Sequence, residues 1–166
     1  MSDLPDFDDV AALAPVFDET VGPDQTDVNG HMNIRHYFDL TSWAVWKAVQ
    51  DCGAGEQYIE DRGMSFFTVE QHLRYFGEMR SGERFTVHPR LLERSRRALH
   101  AMAFVLDRER SRLACTFELV YVHVDMAERR SVDIPDDLTT SIDAAIAATD
   151  ALGWAAPVCG AMGVRR

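Results

Sequence analysis

The stretch Asp24-Gln25-Thr26-Asp27-Val28-Asn29-Gly30-His31-Met32-Asn33, followed by Ile34-Arg35-His36-Tyr37-Phe38 and a helical pattern to Cys52, decides how the chain is read. Its first half is crowded with Asp, Asn and Gly, whose short polar side chains or missing Cβ favour turns. From Asn33 the period becomes helical. Tyr37, Leu40, Thr41, Ala44 and Ala48 form one stripe, and Phe38, Val45, Trp46 and Val49 fill much of the remaining circumference. A helix apolar on most sides belongs inside a core, and this one must lie against a concave sheet face for its extra apolar surface to be covered. At 1.5 Å per residue it spans roughly 30 Å, the width of a small domain. Asn33 suits the N-cap, and Gly53 suits the first position beyond the helix.

Outward from this helix the pattern changes. Val16 to Val21 reads as a short strand ended by Gly22-Pro23, and residues 53–63 read as a glycine-containing loop. Val69, Gln71, Leu73 and Tyr75 alternate with Glu70, His72, Arg74 and Phe76, the period of a strand. Turns at Ser81-Gly82, Ser95–Arg97 and Arg108–Ser111 separate three further strands, the last running from Leu113 to Val124. Pro135 followed by Leu138, Ile142, Ala145, Ile146 and Leu152 reads as an amphipathic helix with proline near its start. Consecutive strands on tight connections make an antiparallel meander, so the class is α+β: one sheet with a long helix against it. The expected organisation is a loose acidic leader over 1–15, a folded domain over 16–135, and a C-terminal helix and tail over 136–166.

The 166 residues suit one domain that buries about two-thirds of its surface, enough for a core without staples. Seventeen basic against twenty-seven acidic side chains give a formal net charge of −10. Such a balance speaks against nucleic acid or an anionic membrane as partner. The charge is uneven: no Lys or Arg precedes Arg35, whereas Arg80 to Arg112 holds nine arginines and four acids. Arginine forks suit phosphate oxygens, so this segment is a candidate for binding them. Cys52, Cys115 and Cys159 are odd in number and lack CxxC spacing, so neither a disulfide framework nor a zinc motif is implied. With no basic, apolar leader and no long apolar run, the expected location is the cytoplasm.

Chemistry concentrates in the opening stretch. A polar turn holding Asp27 runs directly into a helix whose first N–H groups are unpaired and whose dipole is positive there. Such a site stabilises a developing oxyanion while a carboxylate attacks or deprotonates water, and each well-placed donor is worth roughly 3–4 kcal/mol. The same residues also serve as ordinary turn and cap formers. Asp24, Asp27, His31 and His36 raise the alternative of a metal, although His31 and His36, five apart, do not share a helix face. GxGxxG, Walker A, GxSxG and HExxH motifs are all missing from the sequence.

The pattern Asp27-x-x-Gly30-His31-Met32-Asn33-x-x-x-Tyr37 resembles the signature of the hotdog-fold thioesterases of the 4-hydroxybenzoyl-CoA thioesterase-like group. Val69-Glu70-x-His72-x-x-Tyr75 leading to Gly82-Glu83 is similar to that group's next strand and turn, and the likeness spans about residues 16–126. It implies a hotdog fold, an antiparallel sheet wrapped round a long central helix, and hydrolysis of an acyl-CoA thioester. It further implies Asp27 as nucleophile or general base, the backbone N–H near Ile34 as oxyanion donor, Asn33 orienting water or Asp27, and His31 as a participant. Glu70 and His72, on one strand face, are expected as pocket residues reaching a neighbouring subunit's site, with a solvated or intersubunit salt bridge as the alternative. The resemblance also implies a homodimer or dimer of dimers with sites between subunits, no metal, and coenzyme A only as part of the substrate. A hotdog hydratase or dehydratase and a non-enzymatic acyl-CoA-binding module are the rival readings. The His-Met-Asn run is similar to members acting on small polar acyl groups such as carnityl or betainyl.

Overall fold

The computed structural model describes residues 4–164. In chain order it contains α1 (Phe7–Ala11), β1 (Phe17–Thr20), α2 (Ile34–Asp51), α3 (Glu56–Arg62), β2 (Met64–Tyr75), β3 (Arg84–Arg94), β4 (Ala98–Asp107), β5 (Arg112–Asp125), β6 (Arg130–Ser131) and α4 (Asp136–Asp150). The sheet is antiparallel throughout, ordered β1-β3-β4-β5-β2, with β6 beside β5. It curls around α2, the hotdog architecture expected.

The central helix forms where its sequence places it. Asn33 Oδ1 accepts the Arg35 N–H at 3.1 Å, and Gly53 takes φ +105° just past the C-cap, a conformation costly for any residue with a Cβ. Tyr37, Thr41, Ala44, Val45 and Val49 are buried. They pack in one core with Leu99, Ala101, Ala103 and Val105 of β4 and Phe117, Leu119 and Tyr121 of β5. Two alanines at the middle of β4 keep the bed shallow, so the helix backbone lies close to the sheet. The sheet does not cover the rest of the helix: Ile34 (68% exposed) and Trp43 (59%) are open, and Phe38 (36%) is half-covered, its ring edge-on to Phe117 of β5 at 5.9 Å. The expectation of a helix covered on most sides within one chain is corrected to a helix covered on one side.

Three other differences have local causes. The loop 53–63 contains α3, a seven-residue helix whose polar sequence offers no apolar repeat to read; Tyr58 fixes it through a 2.8 Å hydrogen bond to His123. Strand β2 begins at Met64, ahead of the alternation that starts at Val69, because a bulge between Thr68 and Glu70 interrupts the period and leaves Val69 out of register. The leader is not loose over residues 4–15. Val10 and Leu13 are buried against the convex face of the sheet, beside Met102, Phe104, Leu106 and Leu113. Residues 1–3 of that leader lie outside the described residues, as do 165–166 of the tail. At the other end, Trp154 and Ala156 pack on the same convex cluster, and Leu138 and Ile142 of α4 join the main core. No helix among the described residues is long and apolar enough to cross a membrane.

One buried histidine ties the N-terminal segment down. His88 has Nδ1 at 2.8 Å from the Leu13 carbonyl and Nε2 at 2.8 Å from the Thr86 hydroxyl, so a neutral ring with its proton on Nδ1 donates to one and accepts from the other. Burial pushes its pKa below the ordinary histidine value, more than the Leu13 bond raises it. The folded chain therefore resists a proton that the unfolded chain accepts, and stability present at neutral pH is lost as pH falls below about 6.5. The urea midpoint of the wild type should thus drop between pH 7.5 and pH 5. His88→Gln, which does not titrate, should cost about 1–2 kcal/mol at pH 7.5 and flatten part of that drop. An unchanged pH dependence in the variant would contradict the assignment.

Candidate active site

The polar stretch forms a small hairpin stitched to the amino end of α2. Thr26 pairs with Met32, the Asp27 N–H donates to the His31 carbonyl at 2.9 Å, and the Asn33 N–H donates to the Gln25 carbonyl at 2.8 Å. Between the arms, Gly30 closes back on the Asp27 carbonyl at 3.0 Å and takes φ +76°. Glycine in the left-handed position ending a three-residue loop is what such hairpins require. The Asp27 side chain accepts the Asn29 N–H at 2.8 Å through Oδ1, which holds the carboxylate on the loop; Oδ2 has no partner among the described residues. Asp27 is half-buried, and Val28 beside it is fully exposed.

Asn33 is both the last residue of the hairpin and the cap of α2, so the loop and the helix end move as one piece. The Ile34 N–H, first of the helix, has no acceptor among the described residues. A carboxylate and an uncommitted helix-start amide are thereby carried on one rigid unit. That unit is anchored from below by the connection between β2 and β3. The Met32 N–H donates to the Met79 carbonyl at 2.7 Å, His31 bridges to Arg80, and the Met79 N–H donates to the Tyr37 hydroxyl at 3.2 Å. Tyr37 is core, as its pattern implied, and also a polar anchor; burial pushes its phenol well up, so it stays neutral.

His31 sits at the loop, its Nε2 2.7 Å from Glu78. Hydrogen bonds from Arg80 hold Glu78 below the ordinary carboxylate range, against a smaller opposing effect of burial. Glu78 was not legible beforehand, because it lies in an irregular connection whose approach to residue 31 depends on the fold. The structure thus brings Asp27, His31, Asn33 and Ile34 together. It does not bring Glu70 and His72 to them: His72 stands opposite Glu118, itself opposite Met102, on the convex face, whereas α2 occupies the concave one. The metal alternative at Asp24, Asp27, His31 and His36 is also not met, since their ligand atoms do not converge.

The arginine-rich segment is balanced in space. Eight of its nine arginines pair with carboxylates, among them Asp18, Asp133, Asp143 and Asp150 from distant parts of the chain. The ninth, Arg108, lies over the Phe7 ring. The excess seen along the sequence therefore leaves no uncompensated basic patch there.

Comparison with known proteins places this geometry among others. The family model described as the thioesterase-like superfamily matches residues 21–142. The betainyl-CoA thioesterase of Pseudomonas aeruginosa is 29% identical over 144 residues, covering 86% of this chain and 90% of that one. The L-carnitine dehydrogenase/betainyl-CoA thioesterase of Rhizobium meliloti is 28% identical over 137 residues, covering 81% of this chain. This chain spans only 27% of that longer relative. Among solved structures, a Staphylococcus aureus protein in complex with CoA superposes with a TM-score of 0.70 at 23% identity, over 79% of this chain and 82% of that one. The 1,4-dihydroxy-2-naphthoyl-CoA thioesterase of Synechocystis gives 0.67 at 17% identity, over 76% and 93%.

The loop geometry itself is open to test. A Cβ at Gly30 meets nothing within 4 Å, so Gly30→Ala introduces backbone strain without a clash. The expected cost is about 1–2 kcal/mol in urea unfolding, with the helix content of the folded state unchanged by circular dichroism. A neutral substitution would mean that the loop is not held in this conformation.

Proposed function

The chain belongs to the thioesterase-like superfamily, and on that premise we propose that it hydrolyses an acyl-CoA thioester to a free acid and coenzyme A. The observation that carries this reading is the Asp27 carboxylate, held on a hairpin that is continuous with the capped amino end of α2. The thioester carbonyl oxygen accepts from the helix-start amide of Ile34, where the macrodipole favours developing negative charge. Asp27 then acts in one of two ways. As nucleophile it attacks the carbonyl carbon, expels the thiolate of coenzyme A and leaves a mixed anhydride that water hydrolyses. As general base it takes a proton from a water that attacks directly. Either route breaks the C–S bond, and the departing thiolate gains a proton. Asn33 has its Oδ1 engaged in the cap, which leaves its amide nitrogen to orient water or Asp27. His31, held by Glu78, lines the approach. Coenzyme A enters as part of the substrate, and no separate cofactor has a role in either route.

The relatives named as betainyl-CoA thioesterases point to a small quaternary-ammonium acyl group. Aromatic faces recognise such cations, and α2 presents Phe38 and Trp43 outward. Measuring free-thiol release over a panel of short, long, aromatic and quaternary-ammonium acyl-CoAs should give the highest kcat/KM with betainyl-CoA. Asp27→Asn, nearly isosteric, should lower kcat by about a hundred-fold or more on the preferred substrate. Wild-type turnover in that variant would remove Asp27 from the mechanism.

The same surfaces support a homo-oligomer as part of this reading. Strand β2 is the longer of the sheet's two edge strands and exposes Phe67, Val69 and Tyr75, while α2 exposes Ile34, Phe38 and Trp43. An unpaired edge strand with apolar side chains is a template for a second copy. Light scattering should therefore report a dimer or a dimer of dimers. Trp43→Glu should shift it toward monomer and lower turnover with it, if sites lie between subunits. A monomeric wild type would contradict the assembly.

A further inference from the structure

On the convex face, away from the Asp27 hairpin, three side chains distant in sequence meet: His72 of β2, Glu118 of β5 and Cys159 of the C-terminal segment 151–164. We propose that they bind one divalent transition-metal ion of the zinc type through His72 Nδ1, a Glu118 carboxylate oxygen and Cys159 Sγ, pinning the C-terminal segment to the sheet.

The geometry supports this in four ways. The ligand atoms all lie within 4.8 Å of one another. Tetrahedral zinc with ordinary bond lengths separates its ligands by roughly 3.5 Å. A closure of about an ångström is within reach of Cys159, which lies in no helix or strand. Next, His72 Nδ1 is a buried polar atom with no hydrogen-bond partner, and buried polar atoms are rarely left so. The other two such atoms among the described residues, Arg90 Nε and Trp154 Nε1, belong to side chains of the neighbouring cleft under the same segment. Thirdly, Glu118 is 1% exposed and already oriented: Oε1 lies 2.9 Å from His100 Nε2, and Oε2 accepts the Cys159 N–H at 2.8 Å. Fixing a ligand through outer partners is how metal sites are tuned, and His100 in turn has Glu93 at 3.4 Å from its Nδ1. Finally, the donor set is one nitrogen, one oxygen and one sulfur, which suits zinc or cobalt and not magnesium or calcium. On binding, the Cys159 thiol loses its proton to solvent. Thiolate and carboxylate together then neutralise the dication in a place where an isolated charge is costly. The fourth tetrahedral position is left to water.

The spacing 72, 118, 159 belongs to no local motif, which is why the sequence carried an expectation of no metal. The test is titration of the chelator-stripped full chain with Co2+, followed by Zn2+. The expected result is one equivalent per chain, a thiolate-to-cobalt charge-transfer band with the strong visible bands of tetrahedral cobalt, and displacement by zinc with a rise in Tm. His72→Ala and Cys159→Ala, both outside the main core, should each weaken cobalt binding at least ten-fold, and Cys159→Ala should abolish the charge-transfer band. No such band in the wild type, or a band that survives Cys159→Ala, overturns the proposal. So does tight binding that survives His72→Ala.

Discussion

Everything at the functional end of the molecule depends on how the amino terminus of the central helix is tied down. A helix start carries four N–H groups without intrahelical partners, and the arms of a hairpin packed against it need partners for their own inward-facing amides. Here the two demands are met together. Asn33 caps the helix with its side chain and pairs with Gln25 through its backbone, while Met32 and Tyr37 each take one polar group of Met79. The hairpin, the helix and the connection after β2 are thus locked by four hydrogen bonds of 2.7–3.2 Å. Within that arrangement the Ile34 amide and Asp27 Oδ2 have no partner among the described residues.

The fold was largely legible because its decisive elements have strong periods and clear ends. Asn33 and Gly53 bracket α2, Pro135 starts α4, and the turns near Ser81, Ser95 and Arg108 delimit strands that the structure places within a residue or two. What failed to show had no period to show. Tyr58 fixes α3 through a histidine sixty-five residues away, and the bulge at Val69 hides the first half of β2. The candidate site divides in the same way. Asp27, His31, Asn33 and Ile34 are contiguous, so a motif reveals them; Glu78 comes to His31 only through tertiary folding. Glu70 and His72 share the apparent signature but alternate onto the wrong face, since a strand's period of two sends neighbours to opposite sides.

The convex face was foreshadowed by a signal that was easy to pass over. Strand β4 reads Ala98-Leu-His-Ala-Met-Ala-Phe-Val-Leu106, apolar at both parities, which is the mark of a strand buried on both sides. An antiparallel sheet with one wet face would alternate there. Phe7, Val10 and Leu13 from one end of the chain and Trp154 and Ala156 from the other supply the second cover. The arginines nearby follow the same logic. Arg90, buried to 4% exposure, reaches Asp150 and the Trp154 carbonyl, so its charge helps to seat the C-terminal segment.

That shared seating gives the molecule a front and a back. Both terminal segments run behind the sheet, whereas the hairpin bearing Asp27 opens at the amino end of the helix in front. Phe7, Val10 and Leu13 from one segment and Trp154 and Ala156 from the other brace the sheet from behind, so the two faces of one sheet serve separate purposes, support and chemistry.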